Sequence, residues 1–282
     1  MKTARIDSHQ HFWHYQRADY GWIDDSMAVL RRDFLPGDLR PELAAAGIAG
    51  CIAVQVRQSL DETRYLLDLA SKHPEIRGVV GWVDLQSQDV EAQLREFTKN
   101  PRFVGVRHIA QSEPDPRFLV SEPFLRGIAA LSTTDLVYDV LVYPHQLPAA
   151  IELAEQFPGQ RFVLDHLGKP DQKRLQVGEW AAQVQALARA SNVACKVSGM
   201  VTEADWQNWS AAGLRPAFDI VLQAFGPDRL MFGSDWPVCL CASDYQRWVD
   251  TVAGWLAELP EAERSAVNGG NASRLYHLRK PR

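Results

Sequence analysis

The stretch Val137-Tyr138-Asp139-Val140-Leu141-Val142 is a short, β-branched run broken only by Asp139. Tyr143-Pro144-His145 punctuates it, and Gln146–Phe157 then carries apolar residues at helical spacing. A second apolar run, Arg161–Leu164, follows. A strand, a helix-length connection and another doubly apolar strand form a βαβ unit. Parallel strands cannot be joined by a tight turn, so the connection is usually a helix.

Working outward, the same alternation recurs. Strands are expected near Ala4–Asp7, Gly50–Val56, Arg77–Val83, Phe103–His108, Val137–Val142, Arg161–Leu164, Val193–Val197 and Leu230–Phe232. Helices are expected at Arg40–Ala46, Leu60–Lys72, Val90–Thr98, Glu122–Leu131, Gln146–Phe157, Gly178–Ala190, Pro216–Phe225 and Ser243–Leu259. Gly47 stands as a C-cap, and Ser59, Ser121 and Ser243 as N-caps. The pattern predicts an α/β (β/α)8 TIM barrel, residues 1–282 forming a single domain. An open doubly wound sheet is the competing topology; no G-x-G-x-x-G follows a strand and no phosphate-binding G-x-x-x-x-G-K-[ST] occurs. A long loop after the first strand, Phe12 to Asp33, holds Trp13, His14, Tyr15, Tyr20 and Trp22, and a long aromatic loop is more often functional than idle.

The 282 residues are 46% hydrophobic and 23% charged, which excludes disordered, collagenous and disulfide-scaffold classes. The net charge of −5, with interspersed signs and no basic stripe, argues against nucleic acid as a partner. Cys51, Cys195, Cys239 and Cys241 form no C-x-x-C pair, and Cys51 and Cys195 read as small core residues of a chain kept in a reducing compartment. Met1–Asp7 lacks an apolar leader core, and the longest uncharged stretch, Leu43 to Val56, is too short for a bilayer span. The expectation is a cytoplasmic protein with no membrane partner; the sequence is silent on oligomeric state.

Active-site residues of a barrel follow the C-terminal ends of its strands. His9, His11, His108, His145 and His166 all fall there, as do Gln55, Trp82, Arg107, Lys196 and Asp235. His73 and His277 read as surface residues. On an extended segment residues i and i+2 share a side, so His9 and His11 can aim at one atom. That atom is either a metal ion or a carbonyl oxygen polarised by two N–H donors.

The segments Ile6-Asp7-Ser8-His9-Gln10-His11-Phe12-Trp13, Gly105-Val106-Arg107-His108, Asp165-His166-Leu167-Gly168-Lys169-Pro170, Lys196-Val197-Ser198-Gly199 and Phe232-Gly233-Ser234-Asp235-Trp236-Pro237 together resemble the amidohydrolase superfamily of the amidohydrolase 2 type. More narrowly they resemble its sugar-lactone branch, fuconolactonase-like and 2-pyrone-4,6-dicarboxylate lactonase-like. The resemblance implies a hydrolase opening a small lactone, with Asp235 as general base on water, His9, His11 and His166 as the strand-one and strand-six histidines, and Arg107 touching substrate. Where many members carry a Lys, Glu or His ligand at the end of strand five, this chain offers Asp139 and Tyr143, which argues against a two-metal site. No cofactor is then required; a single Zn²⁺ would sit on His9, His11 and Asp235. Trp13, Gln55, Trp82, Lys196 and Trp236 are the expected substrate contacts. The scarcity of cations near the pocket favours a neutral aldonolactone of the L-fucono or L-rhamnono type over a dianionic pyrone. The alternatives are a metal-dependent amidohydrolase or decarboxylase of the same superfamily and a non-catalytic sugar-binding barrel.

Overall fold

The computed structural model describes residues 4–173 and 178–279, so Met1–Thr3, part of the segment read above as lacking a leader, lie outside the described residues. Eight strands appear where the apolar runs lie: β1 Ile6–Gln10, β2 Gly50–Val54, β3 Ile76–Gly81, β4 Phe103–His108, β5 Val137–Val140, β6 Phe162–Leu164, β7 Val193–Val197 and β8 Leu230–Phe232. They lie in sequence order, each parallel to the next. Past the strand ends the sheet closes on itself: Gln10 bridges Trp236, the Asp235 amide donates to His9 O (2.8 Å), and the His11 amide to Trp236 O (2.7 Å). The fold is a (β/α)8 barrel, and the open-sheet alternative falls on that closure.

The crossover helices are α1 Pro36–Ala45, α2 Leu60–Lys72, α3 Val90–Phe97, α4 Glu122–Leu131, α5 Leu147–Gln156, α6 Gly178–Ala188, α7 Ala211–Phe225 and α8 Tyr245–Leu256, followed by the short α9 Glu261–Ser265 and α10 Asn271–Leu275. Three boundaries depart from the sequence reading. The α1 helix starts at Pro36, whose missing N–H costs nothing in a first turn. The α7 helix starts at Ala211, capped by Ser210, and runs through Pro216, which forfeits one ladder bond without stopping it. Asp244, not Ser243, caps α8 by accepting from the Arg247 amide (2.7 Å). Ser59 caps α2 as expected; Ser121 occupies the cap of α4 without a side-chain bond. Gly47, at φ +64°, ends α1 in the left-handed conformation.

Both faces of the strands are buried. The inner face forms an apolar floor of Ile6, Ile52, Val54, Val80, Val137, Val163, Ala194 and Met231, closed from below by Ala272 and Tyr276 at the end of α10. The outer face packs on the helices and takes up Cys51 and Cys195, both buried free thiols. The aromatic loop is folded on the barrel. Trp13 pairs in both backbone directions with Phe34 and packs edge-on against Phe34 and Trp22, while Arg57 grips Asp19 (3.1 Å). No described helix is long and apolar enough to cross a membrane.

Candidate active site

Above the apolar floor the barrel interior becomes charged. Arg107 of β4, Asp139 of β5, Asp165 after β6, Lys196 of β7 and His9 of β1 are all buried there. Neighbouring strands set their heights: Arg107 stands opposite Asp139 in the β4–β5 register, and Lys196 opposite Met231 in β7–β8. The Lys196 ammonium lies against Asp139 Oδ2, Asp165 Oδ1 (2.9 Å) and His9 Nδ1 (3.2 Å), and that ring nitrogen is also 3.2 Å from Asp165 Oδ1. Asp139 Oδ1 accepts from the Tyr276 hydroxyl (2.6 Å), so the floor plug and the charged layer are joined. Arg107 donates to Asp165 Oδ2 (3.0 Å) and to the backbone and side-chain oxygens of Gln55, and faces His9 Nε2 at 3.3 Å. Two cations thus meet two carboxylates, the arrangement that makes buried charge tolerable. Burial lifts the Asp139 carboxyl to about 6 against the pull of Lys196, whereas the combined pull of Lys196, His9 and Arg107 overcomes burial at Asp165 and holds it well below the ordinary range.

One layer higher, three imidazoles surround one carboxylate oxygen. Asp235 Oδ1 lies 3.3 Å from His11 Nε2, 3.8 Å from His9 Nε2 and 3.9 Å from His166 Nε2. Burial would raise the Asp235 carboxyl, but His166, the His11 hydrogen bond and His9 outweigh it and hold it below the ordinary range. The imidazoles shift the other way: burial lowers His166 to about 4 and His9 well below its usual value, so both are neutral at pH 7. Backbone strain accompanies the centre. Asp235 sits at φ +58°, His166 at +53°, Leu167 at +58° and Lys169 at +53°, left-handed positions that cost non-glycine residues roughly 1–2 kcal/mol each. Gly199, at φ +65°, lets the chain pass under His166, where a Cβ would overlap the ring.

Asp7 escaped the sequence reading. Its Oδ1 accepts from the amides of His9 (3.1 Å) and Ser234 (2.9 Å), and its Oδ2 from the Tyr245 hydroxyl (3.0 Å). It therefore stitches β1 to the segment after β8, the seam that carries both His9 and Asp235. Burial raises its carboxyl to about 6. The signal available was a carboxylate inside a strand-forming run.

Of the expected residues, His9, His11, His166, Arg107 and Asp235 come together. The expected substrate contacts divide. Trp82, at the end of β3, is half-buried and donates from Nε1 toward His108 Nδ1 (3.5 Å). Gln55 is buried and donates to Arg107 O (3.0 Å), so it braces the arginine. Lys196 is fully enclosed in its ion pairs. Trp13 has no exposed surface and donates to Arg32 O (2.9 Å); Trp236 is wedged between Phe12 and Phe34. The sequence reading sent Lys196, Trp13 and Trp236 toward substrate; in the structure all three are buried and engaged with protein partners. His108 faces outward from β4, stacked on Phe118 and bonded to Glu113 (2.7 Å), and His145 is exposed beside Tyr143, so neither joins the cluster.

The donor set also answers whether an ion fits. His11 Nδ1 donates to Val54 O (2.8 Å), which turns Nε2 toward Asp235 Oδ1 (3.3 Å). His9, His11 and Asp235 bring ligand atoms within 4.8 Å of one another and fit one ion with open positions. A second trio, His9, Asp165 and His166, shares His9 and draws on an Asp165 already committed to Lys196 and Arg107.

The chain is 44% identical to an L-fucono-1,5-lactonase of Burkholderia multivorans, over all of this chain and 98% of that one. It is 37% identical to an L-fucono-1,5-lactonase of Burkholderia ambifaria, over 99% and 97%. A crystal structure of a Burkholderia multivorans amidohydrolase with bound zinc superposes with a TM-score of 0.95 at 43% identity, covering 98% of this chain and 100% of that one. The model of the amidohydrolase family matches residues 6–278, nearly the whole chain, and this chain belongs to the amidohydrolase family.

Proposed function

We propose that this chain hydrolyses a sugar 1,5-lactone to its hydroxy acid, with Asp235 as the base. The observation that carries the reading is the single Asp235 oxygen ringed by three imidazoles, an arrangement that holds the carboxyl below its ordinary range while burial holds His9 and His166 below theirs. Two full-length relatives named as L-fucono-1,5-lactonases point to the substrate class. Asp235 takes a proton from water, and the hydroxide attacks the lactone carbonyl. N–H donors on His166 and His9, with Arg107 beside them, receive the oxyanion; each such donor is typically worth about 3 kcal/mol of barrier. The tetrahedral intermediate collapses, the acyl–oxygen bond breaks, and the ring oxygen takes the proton from Asp235 to become the new hydroxyl. The new carboxylic acid ionises, releasing one proton per turnover.

A lactone is an activated ester, and this reading requires no metal. If an ion is held, His9, His11 and Asp235 hold it, and it would acidify water and polarise the carbonyl. The charges of Arg107, Lys196 and Arg57 are already met by Asp165, Asp139 and Asp19, which favours a neutral lactone over a dianion. The test is acid release, read with a pH indicator, from 1,4- and 1,5-aldonolactones with and without chelator. Turnover of a 1,5-aldonolactone is expected in both arms. Activity confined to the metal-loaded protein would transfer the reaction to the metal-dependent alternative, and ligand-induced stabilisation without product would favour the binding barrel.

A further inference from the structure

Three loops at the barrel mouth meet at Lys169, three residues beyond His166. Tyr143 follows β5 and is half-exposed; Lys169 ends the strained turn after β6; Glu203 lies in the loop after β7. Lys169 Nζ is 3.0 Å from Glu203 Oε1 and stands 5.1 Å above the Tyr143 ring centroid. The Lys169 side chain is only 13% exposed and that of Glu203 only 23%, so this is not a loose surface pair. Lys169 also lies close enough for its charge to help keep His166 neutral, and its amide closes the turn on His166 O (2.8 Å). Its left-handed φ would suit Gly or Asn better, so the backbone bears a cost at the position that carries this amine.

We propose that Lys169, Glu203 and Tyr143 form the specificity subsite for the hydroxylated edge of the lactone. The inference rests on the lactonase reading above. An ammonium and a carboxylate side by side present a donor next to an acceptor, the complement of two vicinal hydroxyl groups. The part of the Tyr143 side chain left exposed offers an apolar surface to the C–H groups of a sugar ring. A site built to hydrogen-bond substrate hydroxyls discriminates strongly against an analogue lacking them. Lys169 and Glu203 therefore act on which lactone is taken, while Asp235 acts on the bond that breaks.

The experiment compares kcat/KM for a hydroxylated 1,5-aldonolactone and for unsubstituted δ-valerolactone in the wild type, Lys169→Met, Glu203→Gln and, as a remote control, Lys99→Met. The expected result is a fall of about tenfold or more in the aldonolactone-to-valerolactone ratio for the first two variants, carried by a rise in KM for the aldonolactone. Lys99→Met keeps the wild-type ratio. A ratio within twofold of wild type in both mouth variants, with thermal unfolding showing them folded, overturns the subsite even if both rates drop together. A wild type that opens neither lactone refutes the lactonase reading itself, and the subsite with it.

Discussion

Asp235→Asn removes the base while leaving its shape. Asn tolerates the left-handed conformation, so the φ of +58° at this position adds little new strain. The asparagine amide can face His11 Nε2 through its NH2 group, and the backbone N–H at 235 keeps its bond to His9 O. What vanishes is the proton acceptor, worth roughly 10²- to 10⁴-fold in kcat for a positioned general base. The negative charge facing three imidazoles goes too, so part of any residual rate is lost with it. Asp235→Ala serves as the contrast. It removes the same base, but alanine at φ +58° costs about 1–2 kcal/mol more in stability. The assay is indicator-monitored acid release on a 1,5-aldonolactone, with thermal unfolding of each variant. Both variants are expected to lose kcat by at least about 10²-fold, with Ala melting below Asn. An Asn variant within tenfold of wild-type kcat would refute the assignment of the base.

Lys196→Met leaves Asp139 and Asp165 buried without their ammonium, and a loss of about 3–5 kcal/mol in denaturant unfolding is expected; a loss under 1 kcal/mol would contradict the enclosure described. Asp7 titrates near 6 when folded against 3.8 unfolded, so its contribution to stability is present below about pH 4 and fades as pH rises through 6, about 3 kcal/mol in all. Asp7→Asn should remove that part of the slope in unfolding measured from pH 4 to 7, and an unaltered slope would exclude Asp7 as its source. Gly199→Ala forces a methyl into the His166 ring at a left-handed position and should lower both stability and kcat, whereas Gly159→Ala, which meets open space, should lower neither. Prolonged chelation is expected to leave lactone turnover within twofold, and its complete loss would show that an ion is required.

The alternation of strands and helices was legible because a barrel strand is buried on both faces and so reads as an unbroken apolar run. The histidines and Asp235 were legible because strand ends locate the mouth. Height within the barrel was not. Lys196 and Ser198 are two residues apart on the same inward face, yet one is sealed in the charged layer and the other reaches His166 (2.9 Å). Aromatic residues misled for a related reason: Trp13 and Trp22 share one loop, but only folding decides that Trp13 anchors it and Trp22 stays 43% exposed. Tyr276 carried no signal, since its partner Asp139 lies 137 positions away. Pro216 hid the first turn of α7 because a proline reads as a helix start.

The hydroxyl that Tyr276 sends up to Asp139 gives residues 271–278 an unexpected weight. A ribosome has released all eight strands before this segment appears, so a nascent barrel can close while its ion layer still lacks one donor. The buried ion layer would then be completed last, with the arrival of a single phenol. A protease that clips this tail, or a fused partner that drags it away, would strip a donor from buried Asp139 and uncover the apolar floor in one stroke.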